Sequence, residues 1–144
     1  MRASQLSPEL QRKIFGEVVD KPKRDPKDEA EKLFAFQCRA KRMPLFRKEH
    51  RFAESVGRGY RFDFAWPEYF CALEIEGLVM RRVNGELVVG GRHVNPNGFR
   101  EDCRKYALAA TMGWHVLRFE QSQVMNGEAV DFAEQLLRRK GWVS

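Results

Sequence analysis

Apolar residues recur three and four apart in four stretches of the chain, and between them they alternate or run together over shorter spans. The first helical stretch follows Ser7-Pro8-Glu9: serine caps, proline suits the first turn, and glutamate favours the positive end of the helix dipole. Leu10, Ile14 and Val18 then mark one face of a helix within residues 1–20. The prolines and basic residues of Lys21-Pro22-Lys23-Arg24 break it, so 21–28 reads as a basic linker ahead of a main domain over 29–144. Asp25-Pro26 repeats the cap-plus-proline signal and predicts a helix to about Ala40, with Ala30, Leu33, Phe34 and Cys38 inward and Phe36 a further candidate.

From Leu45 the residues change to strand chemistry. Strands are predicted over 45–52, 60–65 and 70–76, with Gly57, Gly59 and Pro67-Glu68 at the turns. Asn84-Gly85 is a two-residue hairpin signal between Val79–Val83 and Glu86–Val89. Asn95 or Asn97 caps a helix from about Gly98 to Met112, with Phe99, Cys103, Tyr106, Ala107 and Ala110 inward and Gly113 ending it. A buried strand over 114–119 and a last amphipathic helix over 127–140 complete the series. The order α-α-β-β-β-(hairpin)-α-β-α predicts an α/β (α+β) fold: a mixed sheet flanked by helices.

Composition adds a partner class. Twenty-six basic residues against 20 acidic ones give a net charge of +6. That excess favours a polyanionic partner, although a soluble basic protein without one has the same balance. Cys38, Cys71 and Cys103 are odd in number and lack zinc-ligand spacing, so neither a disulfide framework nor a zinc site is expected. The N-terminus has no apolar run, and no segment approaches the ~18 apolar residues of a membrane span. A cytoplasmic protein without membrane association is the expectation, in a reducing compartment.

The candidate chemistry lies in Arg61–Gly77. Period two places Phe62 and Phe64 on one strand face, and Arg61, Asp63 and Ala65 on the other. In the next strand Glu74 and Glu76 share a face with Ala72. A hairpin centred between Glu68 and Tyr69 sets Asp63 across from Glu74, and like charges so placed are destabilising. They call for a cation or for raised pKa values. A hard divalent ion such as magnesium suits such a carboxylate set, and could activate a water beside a phosphodiester. A solvated outer face paired with lysines or arginines is the other reading of the same residues.

The segments Arg61-Phe62-Asp63-Phe64-Ala65-Trp66-Pro67 and Ala72-Leu73-Glu74-Ile75-Glu76-Gly77 resemble the PD-(D/E)XK nuclease superfamily. Gly91-Arg92-His93, Gly98-Phe99, Asp102-Cys103-Arg104-Lys105 and Gly113–Phe119 extend the resemblance over roughly residues 29–137. The nearest group is the small phage and bacterial enzymes that include Holliday-junction resolvases and relatives of the very-short-patch repair endonucleases. The resemblance implies a restriction-endonuclease-like sheet and a Mg²⁺-dependent endodeoxyribonuclease, with Mn²⁺ able to substitute. Asp63 and Glu74 would bind the metal, and Glu76 replaces the usual lysine as a third ligand or a general base. Glutamate cannot supply positive charge, so Lys105 and Arg104 become candidates for that role. Glu31 matches the acid that relatives supply from a first helix; Glu29 and Glu49 are alternatives.

For DNA contacts the candidates are Arg81 and Arg82 on the hairpin, Arg92 and His93 after the glycines, and Arg100, Arg104 and Lys105 at a helix start. An ordinary helix face with a Glu101–Lys105 pair is the plain alternative for the last group. His50 and His115 read as packing or surface residues, and Trp66 and Trp114 as packing at the sheet ends. The N-terminal helix either covers its own domain or serves as a dimerisation arm, since paired cuts at a four-way junction need two sites. The substrate expectation is branched DNA cleaved by a homodimer in a prokaryotic or phage-infected cell. Nicking at mismatches or at a short sequence, and a DNA-binding module without chemistry, are the rivals.

Overall fold

The structure is a computed structural model that describes residues 25–77, 79–90 and 95–144. The expected helix within 1–20, the start of the basic linker, and Arg92 and His93 lie outside the described residues.

Helix α1 spans Pro26–Ala40. Asp25 caps it by accepting the Lys27 backbone N–H at 3.0 Å, and Asp28 and Glu29 in the first turn oppose Arg39 in the last. Its inner face buries Ala30, Phe34, Ala35 and Cys38, and with them the charged Glu31. Phe36 is 65% exposed. Two residues past Phe34 at 100° per residue it falls on the far side, so it does not join the core.

Strands β1 (Arg47–Arg51), β2 (Arg61–Trp66) and β3 (Cys71–Glu76) follow, antiparallel in succession. Leu45 precedes β1 and stands 89% exposed, so the first strand is shorter than its sequence suggests. A 3₁₀ turn at Pro67–Tyr69 joins β2 to β3 and ends in Phe70 with φ 51°. The β4–β5 hairpin (Val79–Val83 and Glu86–Gly90) forms a separate two-stranded sheet. Asn84 and Gly85 at its tip both have positive φ, 53° and 80°, as a tight two-residue turn requires.

Helix α2 (Pro96–Thr111) is capped by Asn95, which accepts the Asn97 N–H at 2.9 Å. It crosses to β6 (His115–Glu120), which pairs parallel with β3. Gly113, at φ 87°, turns the chain between them. Helices α3 (Gln121–Met125) and α4 (Glu128–Arg139) close the fold. The five residues of α3 are too few to show a helical period, which is why the sequence pattern does not reveal it; a reciprocal Glu120–Gln123 capping box starts it.

The main sheet has the order β1-β2-β3-β6, a mixed sheet flanked by helices as expected. One face packs Phe64, Trp66, Leu73 and Ile75 against α1, α3 and α4 through Phe34, Val124, Val130 and Leu137. The other face packs Phe62, Ala65 and Ala72 with Phe52, Trp114 and Ala109 of α2.

Two expectations about faces are overturned. Phe62 and Phe64 do not share a face, for they belong to opposite cores. The alternation slips at Glu49 and Asp63, which the register places opposite one another (Lys48 pairs with Phe64, and His50 with Phe62). Glu49 sits there at φ 50°. Such a conformation costs a side-chain-bearing residue about 1–2 kcal/mol, and it switches the sides of β1: Lys48 lies over the Phe64 ring while His50 lies beside Trp114.

The inner face of α2 is also rotated. Phe99, Cys103, Ala107 and Ala110 are exposed, and Tyr106 alone of the expected set turns inward. Asp102, Lys105, Tyr106 and Ala109 occupy the face towards the sheet. Polar residues win that face because the sheet opposite carries carboxylates.

Candidate functional site

The slip at Asp63 positions the site. The β2–β3 register pairs Phe64 with Leu73, so one further step sets Asp63 across from Glu74, as the hairpin centre predicts. Instead of continuing a plain ladder, Asp63 accepts the Ile75 backbone N–H on Oδ2 at 2.8 Å. Its other oxygen, Oδ1, lies 3.3 Å from the Lys27 ammonium, which enters from the first turn of α1. Glu74 is paired with Lys105 from α2. Two antiparallel strands thus bring the acids together, and helices from either face each supply a lysine.

Glu31, Asp63 and Glu74 are the buried charged residues among those described, at 8%, 6% and 6% exposure. Taking a carboxylate out of water costs several kcal/mol unless it is paired. Burial pushes the Glu74 carboxyl up to about 8; Lys105 opposes this and Asp63 reinforces it. Burial and Asp63 likewise raise Glu31, against Lys48 at 3.3 Å. For Lys27, burial acts downward, but attraction to Asp63, Glu31 and Glu74 outweighs it and the amine is held above its ordinary value.

A cavity of about 450 Å³ opens over these groups, lined by Asp63, Glu74, Glu76, Lys27 and Lys105, with Glu49 and Asp102 at its walls. All three acids of the sequence-derived set therefore face one cleft. Among the described residues the acids grouped closely enough to share an ion differ from that set: Glu31, Glu49 and Asp63 offer atoms within 4.8 Å of one another. An oxygen-preferring divalent ion bound at ~2.0–2.6 Å could meet such a set. The donors fit a hard cation; nothing softer than oxygen is present among them.

Glu76 is engaged differently. It accepts from Arg118 Nε at 2.8 Å and from the Tyr106 hydroxyl at 3.4 Å, with the Arg118 guanidinium 4.1 Å from the Tyr106 ring centroid. It lines the cleft while tied to β6 and α2. Lys105 does not form the i,i+4 pair with Glu101; Glu101 instead accepts from Tyr60 at 2.9 Å and pairs with Arg104. Arg100 is exposed and donates to Asn97 at 3.2 Å. Arg104 and Arg100 thus stay on the outer surface of α2, and neither lines the cavity. Arg81 and Arg82 are on β4. Glu29 lies in the first turn of α1 and does not line the cavity either.

Sequence reasoning misses several site residues, Lys48, Arg118 and Asp102 among them, and Lys27 because 21–28 reads as a linker. The signal was present: once Asp25-Pro26 starts the helix, Lys27 and Glu31 stand four apart on one face. His50 and His115 behave as expected, His50 against Trp114 and His115 exposed beside Lys140.

Compared with protein-family models, with curated proteins and with solved structures, the chain matches none.

Proposed function

We propose that this chain is a metal-dependent endonuclease that hydrolyses the DNA backbone, in line with the resemblance of Arg61–Pro67 and Ala72–Gly77 to the PD-(D/E)XK nucleases. One observation carries the reading: Asp63 and Glu74 are buried on adjacent strands, with Glu31 buried on the helix α1 packed over them, and Asp63 and Glu74 face an open cleft between two lysines. Buried acids are costly even when paired, and clefts are where such costs serve chemistry.

Asp63, with Glu31 and Glu49 on one side and Glu74 on the other, would hold Mg²⁺ or Mn²⁺. A bound ion supplies a lowered water pKa and neutralises charge on a phosphate oxygen. The chain's own groups do the rest. Asp63 is held by the Ile75 N–H. Lys105 supplies beside Glu74 the positive charge that Glu76 cannot. Burial holds the Glu74 carboxyl towards its protonated form in the metal-free chain, and an ion beside it would favour the charged form. Glu76 fixes Arg118 and Tyr106 at the wall of the cleft.

Branched DNA is the proposed substrate, cut by a homodimer as in the resolvases that the sequence resembles. The test offers four-way junction, mismatched duplex and plain duplex DNA to the purified chain with Mg²⁺ or Mn²⁺. Cleavage of the junction alone supports the full reading. Cutting at mismatches moves the substrate to the nicking class, and no metal-dependent cutting of any DNA ends the assignment.

A DNA-binding module without chemistry is the second reading. The pairing of Asp63 with Lys27 and of Glu74 with Lys105 favours it, since lysines already neutralise both acids.

A further inference from the structure

The corner between β1 and β2 carries three arginines that the acidic cleft does not account for. Arg51 and Arg61 are cross-strand partners in the β1–β2 register, and both are exposed. Like charges directly opposite one another weaken a strand pair. The nearest relief for Arg51 is Glu54 at 3.8 Å, an exposed pair of small worth. Arg58 stands exposed in the connection between the strands, close enough to Glu101 to feel its charge.

This corner is continuous with the cleft. Arg61 itself lines the cavity, together with Gly59 and Tyr60 of the same connection. The Tyr60–Glu101 hydrogen bond ties the connection to α2, so the corner is braced against the helix that supplies Lys105. The β1 strand is an edge of the sheet, so no further strand covers it among the described residues. An exposed group of guanidiniums beside an acidic cleft suits a ligand that is negative along its length and must bring one phosphate inward. Guanidinium forks match phosphate oxygens in geometry as well as charge.

We propose that Arg51, Arg58 and Arg61 form the landing surface for the DNA backbone beside the cleft, guiding the strand from the sheet edge towards Asp63. This rests on the reading of the cleft as a DNA-cleaving site. It assigns backbone contact to the sheet edge in addition to the outer α2 residues singled out from sequence.

The test is DNA binding without cleavage. Anisotropy titrations of a labelled four-way junction and a labelled duplex are run in EDTA at several salt concentrations. Wild type is compared with Arg51→Gln/Arg58→Gln/Arg61→Gln. A control, Arg138→Gln/Arg139→Gln/Lys140→Gln, removes the same charge at the end of α4, and thermal melts establish that both variants fold. Loss of three phosphate contacts weakens binding by about tenfold or more and makes the log–log salt slope shallower by about 2–3. The control loses less than about a third of that slope change. If wild type binds DNA and the triple variant tracks the control, the landing surface is wrong while the cleavage reading stands. If wild type binds no DNA, both fall together.

Discussion

The Asp63 carboxylate accepts the backbone N–H of Ile75 at 2.8 Å, so the acid at the centre of the cleft also satisfies a buried donor of the neighbouring strand. Its two oxygens have separate duties, one towards Ile75 and one towards Lys27 at 3.3 Å. The proposed function and the stability of the fold meet at this residue, and substitutions can part them.

Asp63→Ala strands the Ile75 amide in a buried position, which costs about 1–3 kcal/mol. Asp63→Asn keeps an acceptor oxygen and loses the charge. Cleavage is expected to fall by about a hundredfold or more in both, whereas only the alanine variant loses stability in urea unfolding. Metal-dependent cutting by Asp63→Asn at the wild-type rate would remove Asp63 from the catalytic set.

Glu74 gives the metal-free protein a pH signature. Its carboxyl lies at about 8 in the folded chain against 4.5 ordinarily, so between those values the folded state binds more protons than the unfolded one. The stability it contributes is fully present below about 4.5 and is lost as pH rises through about 8. Melting temperature in EDTA is expected to decline from pH 5 to pH 8 by several degrees, and Glu74→Gln should flatten that decline. A variant whose melting follows the wild-type pH curve would show that the burial of Glu74 is not its cause.

Divalent ions should reverse this trend. Binding to the folded chain alone stabilises by about 2.7 kcal/mol at a hundredfold excess over Kd. For a domain of this size that is roughly 5–10 °C in Tm. The rise is expected with Mg²⁺ and Mn²⁺ and should disappear in Glu31→Gln/Glu49→Gln, which removes two of the three grouped acids. Equal shifts in both proteins would move the ion away from Glu31 and Glu49.

The two lysines should separate by role. Above about pH 8, where Glu74 is charged, Lys105→Met leaves it buried without its partner and costs a few kcal/mol, as breaking a buried pair does. Lys27 is more exposed, at 36%, so Lys27→Met costs less. Adding Glu74→Gln to Lys105→Met is expected to recover much of the lost stability but none of the cleavage. Denaturant unfolding of the three proteins checks the first half, and a junction-cleavage assay the second.

Much of the fold is legible in the residues. Asp25-Pro26, Asn95 and Asn84-Gly85 are local signals with a single physical meaning, and each marks its element in the structure. The turn at Pro67-Glu68 fixes the register that brings Asp63 to Glu74. What period and propensity cannot show is the slip at Glu49, because a left-handed glutamate has no sequence signature and is held by its surroundings. That one residue misassigns the face of Phe62. The inward face of α2 is hidden for a related reason: hydrophobicity points to Phe99 and Cys103, whereas the acids across the gap draw in Lys105 instead. Lys27 was missed because a short basic run resembles a linker until the helix start within it is taken literally.

The bend at Glu49 has a consequence for how molecules meet. An uncovered strand edge invites another chain to add to it, yet β1 offers Arg47, Lys48 and Arg51 around a residue with φ 50°. A neighbouring copy would meet repelling charge and a backbone whose amides do not keep step with its own. The irregularity that gathers acids in the cleft therefore also guards against fibre-like stacking, and straightening it with Glu49→Thr would expose a template for aggregation.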